Sequence, residues 1–266
     1  MDRIADYQLV RTLGTASYGD IYLATPPARL NLQVEFVAVK VLVGMNNDDA
    51  FRRASRELRA FASVQSPHLV TLYDAGQDGT AFFYSMEYSP LGTLEAPSQV
   101  LAPADVHRAV AAAARAAHSL HEAGVLHRAI SPTSIVLVDD GGVISGKLGD
   151  LGLAEVVNPG QTATSVGAVG TVEFLDPNIL LGERASRASD IWSLGATLHR
   201  ARTGRGLCGD LPAEPLAAIR KVLNTPPQID PSLPAPEQSI IERCVGEPSK
   251  RYATASQLAD ELDRLV

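Results

Sequence analysis

The chain has only two cysteines, Cys208 and Cys244. That is too few for a disulfide scaffold and suits a reducing compartment, so a cytoplasmic location is expected. Basic charge is also scarce. Against 30 Asp and Glu there are 23 Lys and Arg, a formal net charge of -7, and no basic face emerges from them. This argues against a nucleic-acid partner. Long hydrophobic runs are missing. The longest candidate, Ala109 to Leu120, is mostly alanine, contains Arg115 and His118, and is too short and polar to span a bilayer. No membrane segment is therefore expected within this chain. Met1 to Val10 lacks the cationic start and long apolar run of a signal peptide. There is no internal repeat and no low-complexity tail. What the chain does have is 45% hydrophobic residues over 266 positions, enough for a sizeable core in one large domain or two small ones.

The pattern changes along the chain. Residues Tyr7 to Phe83 read as strand-rich with one helix. Tyr7–Val10, Asp20–Leu23 and Phe36–Val39 alternate or run apolar between Gly and Pro breaks, and Pro26-Pro27 makes a turn. Asp48 to Ser63 carries Phe51, Ala54, Leu58 and Phe61 at helical spacing. Met86-Glu87-Tyr88-Ser89-Pro90 breaks that pattern, and the remainder is mainly helical. Pro103 and Asp105 open a long Ala-rich helix that runs to about Glu122, where Gly124 stops it. Asp139-Asp140-Gly141-Gly142 reads as a turn between two short strands. Pro226-Pro227 and the Pro231–Pro236 stretch precede a final helical region.

A series of motifs runs through this frame in a fixed order. Leu13-Gly14-Thr15-Ala16-Ser17-Tyr18-Gly19-Asp20-Ile21-Tyr22 is followed by Val37-Ala38-Val39-Lys40 and by Glu57 in the helical stretch. His127-Arg128-Ala129-Ile130-Ser131-Pro132-Thr133-Ser134-Ile135 comes next, then Gly149-Asp150-Leu151-Gly152, Gly170-Thr171 with Asp176-Pro177-Asn178, Ser189-Asp190-Ile191-Trp192-Ser193-Leu194-Gly195, and a late Arg251. The set resembles the signature motifs of protein kinases, of the bacterial, actinobacterial Ser/Thr type, over nearly the whole chain. The resemblance implies an α+β, bilobal protein-kinase-like fold: a small antiparallel-sheet N-lobe with one main helix (about 1–86), a hinge (about 87–90) and a larger, mainly helical C-lobe (about 91–266).

It also implies a nucleotide half-site. Gly14, Ala16 and Gly19 would bring loop backbone close to phosphates, with Ala16 replacing a middle glycine. Ile21, Ala38, Met86, Glu87 and Tyr88 would frame an adenine ring, the last three at the hinge. Lys40 would meet the α- and β-phosphates and pair with Glu57, and Asp150 would hold Mg²⁺. Each has a plainer reading. The glycines could simply make a hairpin, Lys40 could be a surface lysine, Glu57 could pair with Arg53 along its helix, and Asp150 could serve a turn.

The other half of the site departs from the family. Its catalytic loop reads His-Arg-Asp-Leu-Lys-Pro-x-Asn-Ile, and the reactive Asp, Lys and Asn positions are here Ala129, Ser131 and Ser134. A methyl cannot accept a proton, and Ser131 carries no charge. Ser134 offers only a short, weak metal ligand, so one Mg²⁺ through Asp150 is expected rather than two. Because three positions are changed, natural degeneration explains the loop better than a single engineered inactivation. Asn178 stands where the family has a glutamate pairing with the late arginine. The anchor of that segment is therefore expected to be loose, with Asn178 as a neutral partner of Arg251 or Glu173 as a substitute carboxylate. Asp190 is expected to accept hydrogen bonds from the catalytic-loop backbone, the alternative being a helix cap. His127 and Arg128 read as structural.

The expected function is a pseudokinase: a regulatory or scaffolding signalling module, binding ATP and Mg or not, with little or no phosphotransfer. Its partners would be signalling proteins, such as a Ser/Thr kinase or a phosphothreonine-reading domain. Thr162, Thr164, Ser165 and Thr171 are candidate targets for a partner kinase, or ordinary polar loop residues. Two rivals stand beside this reading. One is a weak or atypical ATP-dependent transferase using Asp139 or Asp140 as base; the other is a scaffold whose nucleotide pocket has closed.

Overall fold

The computed structural model describes residues 2–16, 19–42, 48–150 and 172–266, without the side chains of 15, 16 and 48. Ser17, Tyr18, Leu151, Gly152, Thr162, Thr164, Ser165, Gly170 and Thr171, all singled out above, lie outside the described residues. The chain forms two compact units, one of residues up to Ser63 with Val70–Pro90, the other of Val64–Leu69 with the described residues from Leu91 onward.

The first unit is built on an antiparallel sheet. Its strands are β1 (Arg3–Ile4), β2 (Tyr7–Ala16), β3 (Gly19–Thr25), β4 (Val37–Leu42), β5 (Leu72–Asp78) and β6 (Ala81–Met86), in the order β1-β2-β3-β4-β6-β5. The reading of β2 stopped at Val10, because alternation fails there. The strand continues because register shifts between Leu9 and Arg11 and between Thr12 and Gly14 let it keep pairing with β3. Central strands β4 and β6 are buried along their whole length, so they read as continuous apolar runs. One side of the sheet packs Tyr7, Val37, Val39, Val41 and Phe83 into a core. Helix α1 (Asp48–Ala62) buries Ala50, Ala54, Leu58 and Phe61, and Phe51 meets Phe82 edge-on at 5.4 Å.

The second unit is mainly helical. Helix α2 (Pro103–Glu122) starts with proline and with Asp105, whose carboxylate accepts the Ala102 N–H at 2.9 Å. It ends before Gly124 at φ 76°. Its alanines leave room for close neighbours. The hairpin β7 (Ile135–Asp140) and β8 (Val143–Leu148) approaches so closely that a Cβ on Gly146 would lie 2.9 Å from the Ala109 carbonyl oxygen. Gly141 and Gly142 make the hairpin turn, at φ 64° and 89°. After the short α3 (Pro177–Leu180) comes α4 (Arg187–Thr203), which is buried from Ser189 to His199. A Cβ on Gly195 of α4 would sit 2.4 Å from the Cys244 Cβ. Helices α5 (Pro215–Asn224), α6 (Ala235–Cys244) and α7 (Ala255–Asp263) complete the unit. Arg115 of α2 reaches Asp260 of α7 at 3.1 Å and also pairs with Asp263.

Candidate functional site

In the first unit, the β2–β3 hairpin carries Gly14, Ala16, Gly19 and Ile21. A Cβ at Gly14 would meet nothing within 4 Å, whereas one at Gly19 would fall 1.9 Å from the Val41 carbonyl oxygen. Gly19 is therefore required by the approach of β4, independent of any ligand. Lys40 lies between Ile21 and Tyr84 in the ladder and is 5% exposed, so it is not a surface lysine. Ala38 pairs with Leu23 on one side and Met86 on the other. Glu57 is half-buried on α1. Met86 ends β6; Glu87 follows, its N–H donating to the Thr71 carbonyl at 2.9 Å while its carboxylate accepts the Thr71 N–H at 3.3 Å. Tyr88 is half-buried.

In the second unit, the loop from His127 to Ile135 is held by Asp190 of α4. Its carboxylate is 1% exposed and accepts the His127 N–H at 3.0 Å, the Arg128 N–H at 2.9 Å and His121 Nε2–H at 2.8 Å. Burial alone would raise the Asp190 pKa. The hydrogen bonds from the His121 ring and the His127 backbone N–H outweigh it, and the pKa is lowered. Ser186, not Asp190, caps α4, accepting the Ser189 N–H at 3.2 Å. Asp190 thus has the backbone-holding role expected of it.

His127 is fully buried, and burial lowers its pKa. Its Nε2–H donates to the Gly149 carbonyl at 2.8 Å, while Nδ1 faces the Ala129 N–H at 3.4 Å. This is one neutral tautomer with both ring nitrogens engaged. The loop is thereby tied to the residue before Asp150. Arg128 and Asp150 both take left-handed backbone, at φ 66° and 56°. Non-glycine residues rarely hold that conformation unless surrounding contacts fix it.

Ser131 and Ser134 close on each other. Ser134 Oγ accepts the Ser131 N–H at 3.0 Å and donates to the Ser131 carbonyl at 2.9 Å, while Ser131 Oγ and Thr133 Oγ1 lie 2.9 Å apart. Ser134 is 1% exposed. Its hydroxyl takes part in a reciprocal cap of the turn Pro132–Ser134. The Ala129 methyl lines a small pocket with Arg128, Ile130, Ser131, Phe174, Leu175 and Ser193. Asp139 and Asp140 are exposed on the hairpin, where Asp139 accepts the Gly142 N–H at 2.6 Å.

The activation-segment expectation is corrected. Arg251 pairs neither with Asn178 nor with Glu173. Its Nη1 donates to Asp176 Oδ2, in a pair whose side chains are 2% and 5% exposed. Glu173 instead faces Arg200 at 3.6 Å, and burial raises its pKa. Sequence reading missed Asp176 and His121. Asp176 had a signal, since an Asp before a helix-opening proline is a cap pattern. His121 had none, being one polar residue in the last turn of α2.

The protein kinase domain model matches residues 7–261. The chain belongs to the protein kinase family. It is similar to the serine/threonine-protein kinase PknK of Mycobacterium tuberculosis, with 32% identity over 97% of this chain and 23% of that protein. PrkC of Bacillus subtilis is 29% identical over 96% of the chain and 40% of its own length. The chain thus spans less than half the length of the curated relatives it matches. Among solved structures, the kinase domain of PknI from M. tuberculosis, in a cysteine-to-alanine mutant form, aligns with a TM-score of 0.70 at 22% identity, covering 98% of this chain and 96% of that one. The fold is therefore that of a protein kinase, an antiparallel-sheet N-lobe and a helical C-lobe. Among the described residues, no helix is long and apolar enough to cross a membrane.

Proposed function

We propose that this domain is a pseudokinase, a regulatory or scaffolding signalling module with little or no phosphotransfer. One observation carries the reading: the loop frame is fully tied down by Asp190 and His127, yet a methyl lines the pocket where the family has its base. Loss of a general base costs about 10²–10⁴ in rate. Loss of the neighbouring positive charge costs on the order of 10²–10³, and the two effects are not additive. A kinase turning over at about 1–100 s⁻¹ would then slow by at least about 10²-fold.

Nucleotide binding is part of the reading. Lys40 is held in a buried strand with an apolar lining, where an ammonium needs an anionic partner, and Glu57 is the partner proposed for it. Ile21, Ala38, Met86, Glu87 and Tyr88 would frame the base, and Gly14 leaves open space beside the hairpin backbone. Asp150 would hold a single Mg²⁺, which when bound neutralises phosphate charge; the Ser134 hydroxyl, committed to its own turn, supports no second metal. The partners proposed are signalling proteins, a Ser/Thr kinase or a phosphothreonine-reading domain, in the cytoplasm.

A second reading, residual kinase activity, is favoured by the names of the relatives, which are Ser/Thr kinases. Neither carboxylate offered as its base favours it. Asp139 and Asp140 are exposed on a hairpin, one of them occupied by the turn. Thermal unfolding with and without ATP and Mg²⁺, paired with label transfer from radioactive ATP, separates the readings. A concentration-dependent gain in stability without transfer supports the pseudokinase. Transfer at ordinary speed sinks it. No shift at millimolar ATP, unchanged in Lys40→Ala, favours an empty scaffold.

A further inference from the structure

The segment from Val172 to Gly182 walls the pocket beside Ala129. Val172 is fully buried, the Phe174 carbonyl accepts Ser193 Oγ–H at 2.7 Å, and Phe174 and Leu175 line the pocket. Asp176 divides its carboxylate between two tasks. Oδ1 accepts the Asn178 N–H at 3.1 Å and caps α3, and Oδ2 accepts from Arg251. Arg251 in turn donates Nε to the Gly246 carbonyl and Nη1 to the Ala188 carbonyl, both at 2.9 Å, and its guanidinium lies 5.1 Å from the centre of the Trp192 ring. A single buried carboxylate thus fastens the segment to the start of α4 and to the turn before Arg251. Asn178, a neutral amide, has no charge to offer.

We propose that Asp176 is the positioning residue of the 172–182 segment. It has taken over, from two places earlier in the chain, the tether that the family resemblance assigns to a glutamate at Asn178. The wall of the Ala129 pocket is therefore preset by this pair. The inference goes beyond the pseudokinase reading and holds whether or not phosphotransfer survives. Breaking a buried pair leaves an uncompensated charge, and its effect falls on the elements that the pair joins.

Hydrogen exchange read by mass spectrometry tests this on the whole chain. Asp176→Asn keeps an oxygen for the α3 cap and removes the charge. It is expected to speed exchange in peptides covering 172–182 by on the order of 100-fold, with α2 unchanged. Arg251→Ala is expected to do the same. In the double variant Asp176→Ala with Asn178→Glu, a carboxylate at the later place is expected to restore most of the protection lost in Asp176→Ala alone. The proposal is overturned if Asp176→Asn leaves the segment's exchange unchanged or speeds it equally in α2. It is also overturned if the double variant is no better protected than Asp176→Ala. Wild-type protection in Asp176→Glu would agree with it, because the charge is kept.

Discussion

Replacing Asp190 with alanine should unravel the catalytic-loop frame, and its cost follows from three bonds. The carboxylate receives His127 N–H, Arg128 N–H and His121 Nε2–H at 3.0, 2.9 and 2.8 Å. Hydrogen bonds to a charged group contribute about 1.5–3 kcal/mol each. A simple sum overstates the effect, because all three share one acceptor and fail together. The variant also leaves two backbone N–H groups and an imidazole N–H without an acceptor in a region where Asp190 is 1% exposed. An expected loss of about 3–5 kcal/mol is that of breaking a buried charged network. Asp190→Asn keeps the shape and one acceptor oxygen, so it should cost roughly half as much. Urea unfolding followed by Trp192 fluorescence measures both, with hydrogen exchange at 127–131 as a local probe. The direction of the Asp190 shift adds a pH signature. Its pKa is lowered in the folded state, so its contribution is complete well above the ordinary value of 3.8 and is lost as pH falls through the folded value. The reasoning is refuted if Asp190→Ala costs less than about 1 kcal/mol, the scale of one ordinary hydrogen bond.

Other expectations follow from the same geometry. Gly19→Ala should lower the unfolding free energy by about 1–3 kcal/mol of overpacking, while Gly14→Ala leaves it nearly unchanged; equal effects would contradict the reading of Gly19 as a packing requirement. Burial lowers the pKa of His107, His127 and His199, so the unfolded chain takes up their protons first. Their contribution is complete above 6.5 and is lost as pH falls from there through the folded values, so urea midpoints should decline below pH 6.5; a midpoint that rises on that acid side contradicts it. Restoring Asp, Lys and Asn at Ala129, Ser131 and Ser134 together should raise label transfer from ATP by on the order of 10²–10⁴. No gain, in a variant that still binds ATP, would place the defect elsewhere.

The parts of the fold legible in the sequence were those set by local chemistry. Pro103, Asp105 and Gly124 bracket α2, and Gly141-Gly142 close the β7–β8 hairpin, because caps and positive-φ turns are written in neighbouring residues. The role of Asp190 was legible only through the family motif, since its donors lie 62 to 69 residues away in the chain. The Asp176–Arg251 pair was hidden for the same reason, across 75 residues. The anchor was expected to be loose because the motif puts its carboxylate at 178, where this chain has Asn178; in the structure Asp176 supplies one. The full length of β2 was hidden because its register shifts cancel the alternation that marks a strand. The turn bonds of Ser134 were hidden because whether a hydroxyl next to a proline turn bonds its own backbone is a competition that residue type alone does not decide.

Label transfer from radioactive ATP by the purified chain, in the presence of Mg²⁺ and with Asp150→Ala alongside, tests the central claim most directly. The account predicts transfer at least about 10²-fold below a kinase's about 1–100 s⁻¹, indistinguishable between the two proteins. Turnover at about 1–100 s⁻¹ that disappears in Asp150→Ala would contradict it.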